Sequence, residues 1–427
     1  MRLPVFLFAA VAAVGCASSG AAPSPSTGTA AAPDSLRIRT DIAYLASDRL
    51  EGRRAGTPGN DSAAAYIARR YRALGLAPLA SGSYLQPFVA RPAVAHGKAP
   101  EVLPTQNVVA MLAGTDPALR NQWIVIGAHF DHLGRSTEGA LDPQAGDAIR
   151  NGADDNASGT AAVMELARLF RQHPTRRSLL FVNFSAEEEG LLGSAYFVDH
   201  SPVPLDSIDM MLNFDMVGRL RNQRLIVYGV ATASEFPALL DTANAGQVHI
   251  FGQGDGFGPS DQSSFYARDI PVLFFFTDLH EDYHKATDDI EKINAGGEAT
   301  VVGIAERVIR DLGNRPQRVT FTRVASKATM AATSSDDNGV YLGSVPDMAA
   351  GDIQGERITG VTPGSPADKA GLKAGDVVVE FGGVKVTDLE SYAQAMYAHK
   401  PGDVVTVVVL RDGKRRSFSV TLGRRGN

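Results

Sequence analysis

The sequence predicts an α/β domain with a mostly parallel central sheet and helices on both faces, followed by a small β-rich domain. Apolar runs typical of buried strands alternate with helical patterns through most of the chain. Polar residues of the kinds that bind metals follow several of these predicted strands. A Ser/Thr/Ala/Asp-rich linker at 318–337 then precedes a segment of short strands. We therefore expect a large domain at 35–317 and a second domain at 338–425.

Composition limits the chemistry that is available. The 427 residues exceed the size of one ordinary domain. The formal net charge of −6 gives no reason to expect nucleic acid as a partner. Cys16 is the only cysteine, which excludes an internal disulfide, a cysteine-ligated zinc and a cysteine nucleophile. A bound metal must therefore use histidine, aspartate and glutamate.

The N-terminus has the pattern of an export signal. Residues 1–15 are mainly apolar and too short to span a membrane, and residues 17–34 form a predicted flexible linker of small residues and proline. The position of Cys16 resembles the lipobox of bacterial lipoproteins, whose cysteine is lipidated. We expect an exported protein whose only membrane contact is this lipid anchor, in the outer membrane and facing the periplasm. A cleaved signal that releases a soluble secreted protein is the alternative.

The elements of the large domain follow from local patterns. Helical spacing of apolar residues predicts helices at 61–76, 160–172, 194–200 and 299–312. Runs rich in β-branched and aromatic residues predict strands at 107–112, 123–128, 179–184, 208–214, 225–230 and 270–276. This alternation is typical of a sheet whose strands are mostly parallel.

Candidate metal ligands follow successive predicted strands. The residues at strand ends or in adjoining loops are His129, Asp155, Glu187, Glu188, Asp215 and His284. Ligands of open α/β sheets bind at the carboxyl ends of the strands, so we expect these side chains to converge on one edge. Each alone has an ordinary interpretation, as a solvated glutamate run, a surface histidine or a helix cap. Their order along the predicted strands favours a metal site.

Five motifs carry a family resemblance. They are HFDH at 129–132, GADDNASG at 152–159, SAEEEGLLGS at 185–194, NFDMVG at 213–218 and DYHKATDD at 282–289. They resemble the metal-site motifs of the co-catalytic two-zinc aminopeptidases. That family also includes glutamate carboxypeptidase, the transferrin-receptor ectodomain and the one-zinc glutaminyl cyclases. The resemblance covers roughly residues 45–312.

The resemblance implies two zinc ions per chain. His129 and Asp215 would bind one ion, Glu188 and His284 would bind the other, and Asp155 would bridge both. The sequence retains this full ligand set, which argues against the one-zinc cyclase type.

The resemblance also implies roles for neighbouring residues. Glu187 matches the general base, and Asp131 matches the carboxylate that orients His129. In the implied reaction, Glu187 takes a proton from a metal-activated bridging water and returns it to the departing amine. An exchange of roles between Glu187 and Glu188 is disfavoured by the match of AEEEGL to the family pattern. The peptide bond between Asp155 and Asn156 matches one that is cis in the family.

Other residues near the motifs keep two interpretations. Tyr283 matches a tyrosine that supports the oxyanion in some relatives, and a role as a pocket-wall aromatic is the alternative. His132 and His280 are second-choice ligands. Met216 and the phenylalanines at 274–276 either line a hydrophobic specificity pocket or, as the strand pattern favours, form buried core.

The C-terminal segment resembles a bacterial PDZ domain of the kind appended to periplasmic proteases. The motifs are YLGS at 341–344, SPADKAGLKAGDVVVEFGG at 365–383 and LRDGK at 410–414. The resemblance implies that a C-terminal peptide binds as an added strand, with its carboxylate held by the loop Leu342, Gly343 and Ser344. A module that only stabilises or gates the large domain is the alternative.

The leading functional hypothesis is a secreted, lipid-anchored zinc aminopeptidase that acts on peptide substrates. Another exopeptidase or amide hydrolase on the same site, such as a carboxypeptidase, is the alternative within enzymes. A non-catalytic peptide-binding module is the alternative from a different class. The complete set of predicted ligands and the predicted base favours an enzyme.

Overall fold

The computed structural model describes residues 1, 32–92, 101–137, 139–324, 340–346, 354–361, 364–373, 375–387, 391–392, 395–396 and 398–424. Apart from Met1, the predicted signal lies outside this described part of the chain, as do Cys16 and the linker up to residue 31. Residues 325–337 of the second predicted linker also lie outside it. No helix within the described ranges combines the length and the apolar character needed to cross a bilayer.

Eight strands form the main sheet. They are β1 (Leu85–Ala90), β2 (Leu103–Leu112), β3 (Trp123–His129), β4 (Ser178–Phe184), β5 (Ile208–Phe214), β6 (Arg224–Tyr228), β7 (His249–Gln253) and β8 (Val272–Phe276). Their order across the sheet is β1-β2-β4-β3-β5-β8-β6-β7. The central strands β4, β3, β5 and β8 are parallel. The pairs β1–β2, β2–β4 and β6–β8 are antiparallel, and β6–β7 is parallel. The predicted mostly parallel sheet is confirmed at its centre.

Helices cover both faces of this sheet. They are α1 (Ser35–Leu45), α2 (Pro58–Ala73), α3 (Gly159–Gln172), α4 (Leu192–Asp199), α5 (Phe236–Asn244), α6 (Gln262–Tyr266) and α7 (Ala295–Asn314). Every residue of β4 and β5 is buried, as expected of strands covered on both faces. Helix α3 packs against β3, β4 and β5. Helices α4 and α6 contribute Phe197 and Phe265 to an apolar cluster with Leu180 and Met211.

Strand register aligns the ends of the central strands. His129 at the end of β3 lies opposite Phe184 at the end of β4. Phe214 at the end of β5 lies opposite Phe275 in β8. The loops that follow these strands therefore open at one edge of the sheet, where the predicted ligands lie.

Five elements of the large domain were not predicted from the sequence: α1, β1, α5, α6 and β7. Strand β1 contains Pro87, which the edge of a sheet tolerates but which weakens a strand pattern. Strand β7 is short and mostly exposed at the opposite edge, so its sequence lacks a buried face. The strand expected at 225–230 ends at Tyr228 because Gly229 turns the chain with a φ of 81°. The helix expected at 61–76 begins at Pro58, where the Thr57 hydroxyl caps it.

The described part of the C-terminal domain is a small, antiparallel β structure. Its elements are β9 (Val340–Tyr341), β10 (Ser344–Pro346), β11 (Glu356–Val361), α8 (Pro366–Ala370), β12 (Val377–Phe381), β13 (Val384–Lys385), β14 (Val404–Arg411), β15 (Lys414–Thr421) and β16 (Gly423–Arg424). The main sheet has the order β10-β11-β12-β14-β15, so β10 lies at an edge. Ile358, Phe381 and Val407 belong to its buried core. Within 389–399, residues 391–392 and 395–396 are helical, and residues 398–399 are not.

Candidate metal centre

The six predicted site residues converge on one edge of the sheet. His129 is the last residue of β3, and Asp215 directly follows β5. Glu187 and Glu188 lie in the loop after β4, and His284 lies in the loop after β8. Asp155 lies on the turn Ala153–Ser158, which leads into α3. The predicted convergence is therefore observed, and all six side chains are largely or fully buried.

Two groups of ligand atoms share the carboxylate of Asp155. In the first group, His129 Nε2 lies 3.5 Å from Asp155 Oδ1 and 3.4 Å from Asp215 Oδ2. In the second group, His284 Nε2 lies 3.1 Å from Asp155 Oδ2 and 3.3 Å from Glu188 Oε2. The two oxygens of Asp155 thus face two different histidines.

These spacings fit zinc. Tetrahedral zinc with bonds of about 2.0–2.1 Å separates neighbouring ligand atoms by roughly 3.3–3.4 Å. The distances in both groups lie close to this value. Asp215 Oδ1 is also buried without a hydrogen-bond partner among the described residues, as expected of an atom near a cation site. Imidazole nitrogens and carboxylate oxygens are a donor set that zinc accepts.

The adjacent glutamates Glu187 and Glu188 have opposite electrostatic environments. Burial raises the pKa of Glu187 well above its usual range, and Glu188 and Asp215 add to the rise although His129 opposes it. Burial alone would raise the pKa of Glu188 as well, but His284 and His132 hold that pKa well below its usual range. Neighbouring carboxyl groups whose pKa values are pushed apart are suited to different roles.

Comparisons with known proteins agree with this geometry. Residues 107–308 match the profile of peptidase family M28, and residues 333–422 match the profile of the PDZ domain. Residues 107–308 are thus similar to peptidase family M28. We call the large domain that contains them the M28 domain, and it includes β3, β4, β5 and β8, whose ends carry the site.

Curated relatives match only part of the chain. A probable leucine aminopeptidase 2 of Aspergillus oryzae is 27% identical over 262 residues, which cover 52% of this chain and 49% of the relative. Aminopeptidase YwaD of Bacillus subtilis is 46% identical over 68 residues, which cover 16% of this chain and 15% of the relative. The chain thus spans about half, or less, of the length of the curated relatives it matches.

Solved structures share the fold of the M28 domain. An aminopeptidase from Aneurinibacillus sp. strain AM-1 aligns with a TM-score of 0.52 and 18% identity, over 68% of this chain and 97% of that one. A Zn-dependent exopeptidase from Parabacteroides distasonis aligns with a TM-score of 0.55 and 16% identity, over 66% of this chain and 99% of that one. A glutaminyl cyclase of Bacteroides thetaiotaomicron aligns with the same TM-score of 0.55 and 16% identity, over 66% and 99%. At these identities the likeness concerns the fold alone.

Backbone carbonyls hydrogen-bond with both predicted ligand histidines of the M28 domain. His284 Nδ1 donates to the carbonyl of Gly139 at 2.7 Å, and His129 Nδ1 donates to the carbonyl of Asp131 at 3.3 Å. A carbonyl only accepts, so each Nδ1 carries a proton, and Nε2 is the ring nitrogen that faces the carboxylates.

The Asp131 carboxylate lies beside His129, where its expected orienting role would place it. Its Oδ1 lies 3.7 Å from His129 Nδ1, within the range of an ion pair. Oδ1 also accepts from the backbone N–H of Glu187 at 3.2 Å, and Oδ2 accepts from that of Glu188 at 3.4 Å. Asp131 therefore positions the loop after β4, because it holds the backbone at both glutamates.

Two supporting residues of the M28 domain were missed by sequence reasoning. Asp288 Oδ2 accepts from the backbone N–H groups of Asp154 at 2.9 Å and of Asp155 at 3.1 Å, and so supports the turn. The fully buried Arg53 donates to the carbonyls of Phe130 at 2.8 Å, Asn151 at 2.6 Å and Gly152 at 3.0 Å. Asp288 lies within the quoted motif DYHKATDD, whereas nothing in the local sequence distinguishes Arg53 from a surface arginine. The peptide bond between Asp155 and Asn156 is cis, as expected.

Glu189, the third residue of the glutamate run, turns away from the site. Its Oε1 lies 3.0 Å from Arg54 Nε. Two glutamates of the run thus lie among the predicted site residues and the third forms an ion pair with Arg54, a difference that the sequence alone does not show. Glu187 Oε2 lies 3.8 Å from His129 Nε2, farther than the spacing within either ligand group.

The second-choice histidines have different partners. His280 Nε2 lies 3.1 Å from Asp154 Oδ2 in a fully buried pair behind the turn, away from both ligand groups. His132 Nδ1 lies 2.6 Å from Glu188 Oε1. Only His132 therefore contacts a predicted ligand.

An apolar cluster adjoins the two ligand groups. Its residues are Met216, Ile226, Tyr228, Phe274 and Phe276, with Leu279 and Tyr283 packed against them. Tyr283 stacks on the His284 ring with centroids 3.8 Å apart. Phe275 instead stacks on Phe214 in the sheet core. The run at 274–276 is thus split between the cluster and the core, as alternation along a strand requires.

The loop expected to hold a peptide carboxylate lies directly before the edge strand β10 of the PDZ domain. Gly343 has a φ of 83°, and a β-carbon at this position would lie 2.2 Å from the Ser365 β-carbon, so only glycine fits. The Ser344 hydroxyl hydrogen-bonds with the Tyr392 hydroxyl.

Proposed function

We propose that this chain is a zinc-dependent aminopeptidase that releases N-terminal residues from peptides. The observation that carries the proposal is Asp155, whose two oxygens each complete a separate group with one histidine and one further carboxylate. The match of residues 107–308 to peptidase family M28 supports it. So do the names of its relatives, which include leucine aminopeptidases and a Zn-dependent exopeptidase.

Two zinc ions per chain fit the donor atoms. His129 and Asp215 would hold one ion, Glu188 and His284 the other, and Asp155 would contribute one oxygen to each. When bound, zinc supplies a Lewis acid for the peptide carbonyl and lowers the pKa of coordinated water to about 7.

Glu187 moves the proton. It lies beside the first ligand group at a distance that suits a group facing the reaction rather than a ligand. Its raised pKa favours a carboxyl group that accepts a proton from the attacking water and returns it to the leaving amine. Glu188, whose pKa is held low by two histidines, remains ionised as a ligand.

Leu279 and Tyr283 would form the wall that accepts the side chain of the N-terminal residue. They are partly buried and pack against the buried apolar cluster around Met216. A preference for leucine-like or aromatic residues follows, because burial of an apolar side chain contributes about 1.5–3 kcal/mol. Tyr283 stacks on the His284 ring, which places it next to the second ligand group. Burial raises the pKa of Tyr283 well above its usual range, so its hydroxyl stays protonated and able to donate to an oxyanion.

The test is release of p-nitroaniline from a panel of aminoacyl p-nitroanilides. The protein would be assayed as purified, after chelation, after return of zinc and as the variant Glu187→Gln. We expect chelator-sensitive activity that zinc restores, highest for leucine and other large apolar residues. Glu187→Gln should lower kcat about 10²- to 10⁴-fold with zinc content unchanged. Turnover only of peptides with a blocked amino terminus would contradict the aminopeptidase and indicate another amide hydrolase.

The location of the protein is a separate proposal. We propose that Cys16 carries a lipid anchor that holds the chain at the cell envelope, facing the periplasm. Expression in a lipoprotein-processing bacterium should place the chain in the membrane fraction, and Cys16→Ser should release it into the periplasm. Equal partition of both proteins into the soluble fraction would contradict lipidation and favour a cleaved signal.

The PDZ domain is proposed to bind the C-terminal end of a peptide alongside β10. The free edge of that strand and the glycine turn before it support this mode, in which backbone amides hold the terminal carboxylate. Binding of a fluorescent C-terminal peptide library should be lost when the carboxylates are amidated. Gly343→Ala should weaken it as well. Equal binding of amidated peptides would favour a module that only stabilises or gates the peptidase.

A further inference from the structure

His132 is one of the two histidines to which the sequence gives no role beyond that of a second-choice ligand. The geometry assigns it a positioning role: His132 holds the Glu188 carboxylate by a hydrogen bond, so that Glu188 offers its other oxygen to the zinc ion it shares with His284. The inference rests on the two-zinc site of the proposed function, and it does not depend on turnover.

Distances separate a hydrogen bond from shared coordination at this histidine. His132 Nδ1 lies 2.6 Å from Glu188 Oε1. This is a charge-assisted hydrogen-bond distance, and it is much shorter than the roughly 3.3 Å between two ligand atoms on one tetrahedral zinc. His132 Nδ1 also lies 3.9 Å from Asp155 Oδ2, which is too far for a neighbour on the same ion.

The two oxygens of Glu188 therefore face different histidines. Oε1 accepts from His132, and Oε2 lies 3.3 Å from His284 Nε2. A carboxylate with one oxygen engaged by a donor is oriented to bind a metal through the other. Outer partners of this kind typically change metal affinity about 10- to 100-fold when they are removed.

Packing fixes the His132 ring in this orientation. The side chain is fully buried, and a β-carbon at Gly152 would lie 2.5 Å from two of its ring carbons. The His132 and His284 rings meet edge to face with centroids 5.6 Å apart. Nε2 has no hydrogen-bond partner among the described residues, so Nδ1 is the atom through which this ring acts on the site.

A matched pair of substitutions tests the assignment. In His132→Asn the side-chain amide nitrogen occupies nearly the position of Nδ1 and can still donate to Glu188. In His132→Leu the volume is kept and the donor is lost. The metal-free protein and both variants would be titrated with zinc against a chromophoric chelator. Zinc-edge anomalous diffraction would then report the occupancy of each position.

We expect one of the two zinc affinities to fall about 10- to 100-fold in His132→Leu, with the lower occupancy at the position next to Glu188 and His284. His132→Asn should restore most of that affinity. A general loss of structure would weaken both positions together, so the selectivity distinguishes positioning from packing. If His132→Leu does not fold, His132→Gln replaces it, because its amide nitrogen falls nearer the Nε2 position.

Three results would overturn the assignment. They are unchanged affinities in His132→Leu, an equal loss at both positions, and a loss in His132→Asn as large as in His132→Leu. The last result would make His132 a zinc ligand or a packing residue. Two normally bound zinc ions without peptide hydrolysis would instead contradict the aminopeptidase and leave this inference standing.

Discussion

At the scale of single residues, the site depends on carboxylates whose two oxygens lie next to different histidines. Asp155 divides its oxygens between His129 and His284, and Glu188 divides its oxygens between His284 and His132. Glu187 lies beside these groups, and burial raises its pKa, which agrees with the proposed role in proton transfer. Neighbouring acidic residues thus acquire different chemistry from their partners and not from their residue type.

Tyr283→Phe tests whether the hydroxyl acts in the reaction. If the hydroxyl donates to the oxyanion, its loss should lower kcat about 10- to 100-fold and leave KM nearly unchanged, because the bond forms only in the transition state. Steady-state kinetics on leucine p-nitroanilide give both constants. A change of KM alone would show that Tyr283 only lines the pocket.

Glu298 gives a pH prediction away from the metal ligands. It is fully buried, and neither oxygen has a hydrogen-bond partner among the described residues. Burial raises the pKa of Glu298 well above its usual value of 4.5, so its contribution to stability is full below that pH and is lost as pH rises toward the folded-state pKa. Glu298→Gln removes this loss.

Urea unfolding of the protein and of Glu298→Gln at a series of pH values measures the effect. The difference in unfolding free energy, variant minus native, should increase by up to about 1.4 kcal/mol per pH unit above pH 4.5. The slope of this difference against pH decides the outcome, because loss or gain of a buried hydrogen bond changes the difference by the same amount at every pH. A difference that does not change with pH would contradict an ionisable, buried Glu298.

At the scale of elements, Arg53 joins two of the loops that carry predicted ligands. Arg53 links the carbonyl of Phe130, next to His129, with those of Asn151 and Gly152, before Asp155. Burial lowers the pKa of Arg53 to about 10, so it remains charged at neutral pH. A buried charge that is satisfied by several carbonyls holds the two loops in a fixed relation.

Arg53→Met should destabilise the M28 domain by roughly 3–5 kcal/mol, because it leaves several buried carbonyls without a donor. Arg53→Lys keeps the charge but has fewer, differently placed donors. Its free energy of unfolding should lie between those of Arg53→Met and the native protein. Urea unfolding in excess zinc measures both. A change below about 1 kcal/mol for Arg53→Met would show that water or relaxation replaces the guanidinium.

Buried strands were predicted from the sequence more accurately than strands at the sheet edges. The strand at 208–214 was predicted with its observed bounds, because most of its residues are apolar, as a strand covered on both faces requires. Strands β1 and β7 lie at sheet edges and carry little pattern. The convergence of the ligands was predictable because strand ends share one edge. The contacts of Arg53, Asp288 and His132 were not, because they join residues distant in sequence through tertiary packing.

At the scale of the whole molecule, one buried site gathers ligands from loops across most of the M28 domain. Bound zinc should therefore stabilise the domain as a whole. Each site saturated at 100 times its dissociation constant contributes about 2.7 kcal/mol, and 1 kcal/mol corresponds to roughly 2–4 °C in Tm for a domain of this size. Chelation should lower the Tm by more than about 5 °C, and zinc should restore it.

Calorimetry of the protein with and without chelator measures this shift. Asp155→Asn is the matched variant, since it weakens the group that joins both positions while it preserves volume. Its Tm should respond much less to zinc than that of the native protein. An equal response would show that zinc binds elsewhere.

The central claim is that Asp155 joins two metal positions. Zinc-edge anomalous diffraction from crystals of the zinc-loaded protein tests it most directly. We predict two peaks, one bound by His129 and Asp215 and the other by Glu188 and His284, with one oxygen of Asp155 on each. A single peak, or two peaks of which only one contacts Asp155, would contradict the account.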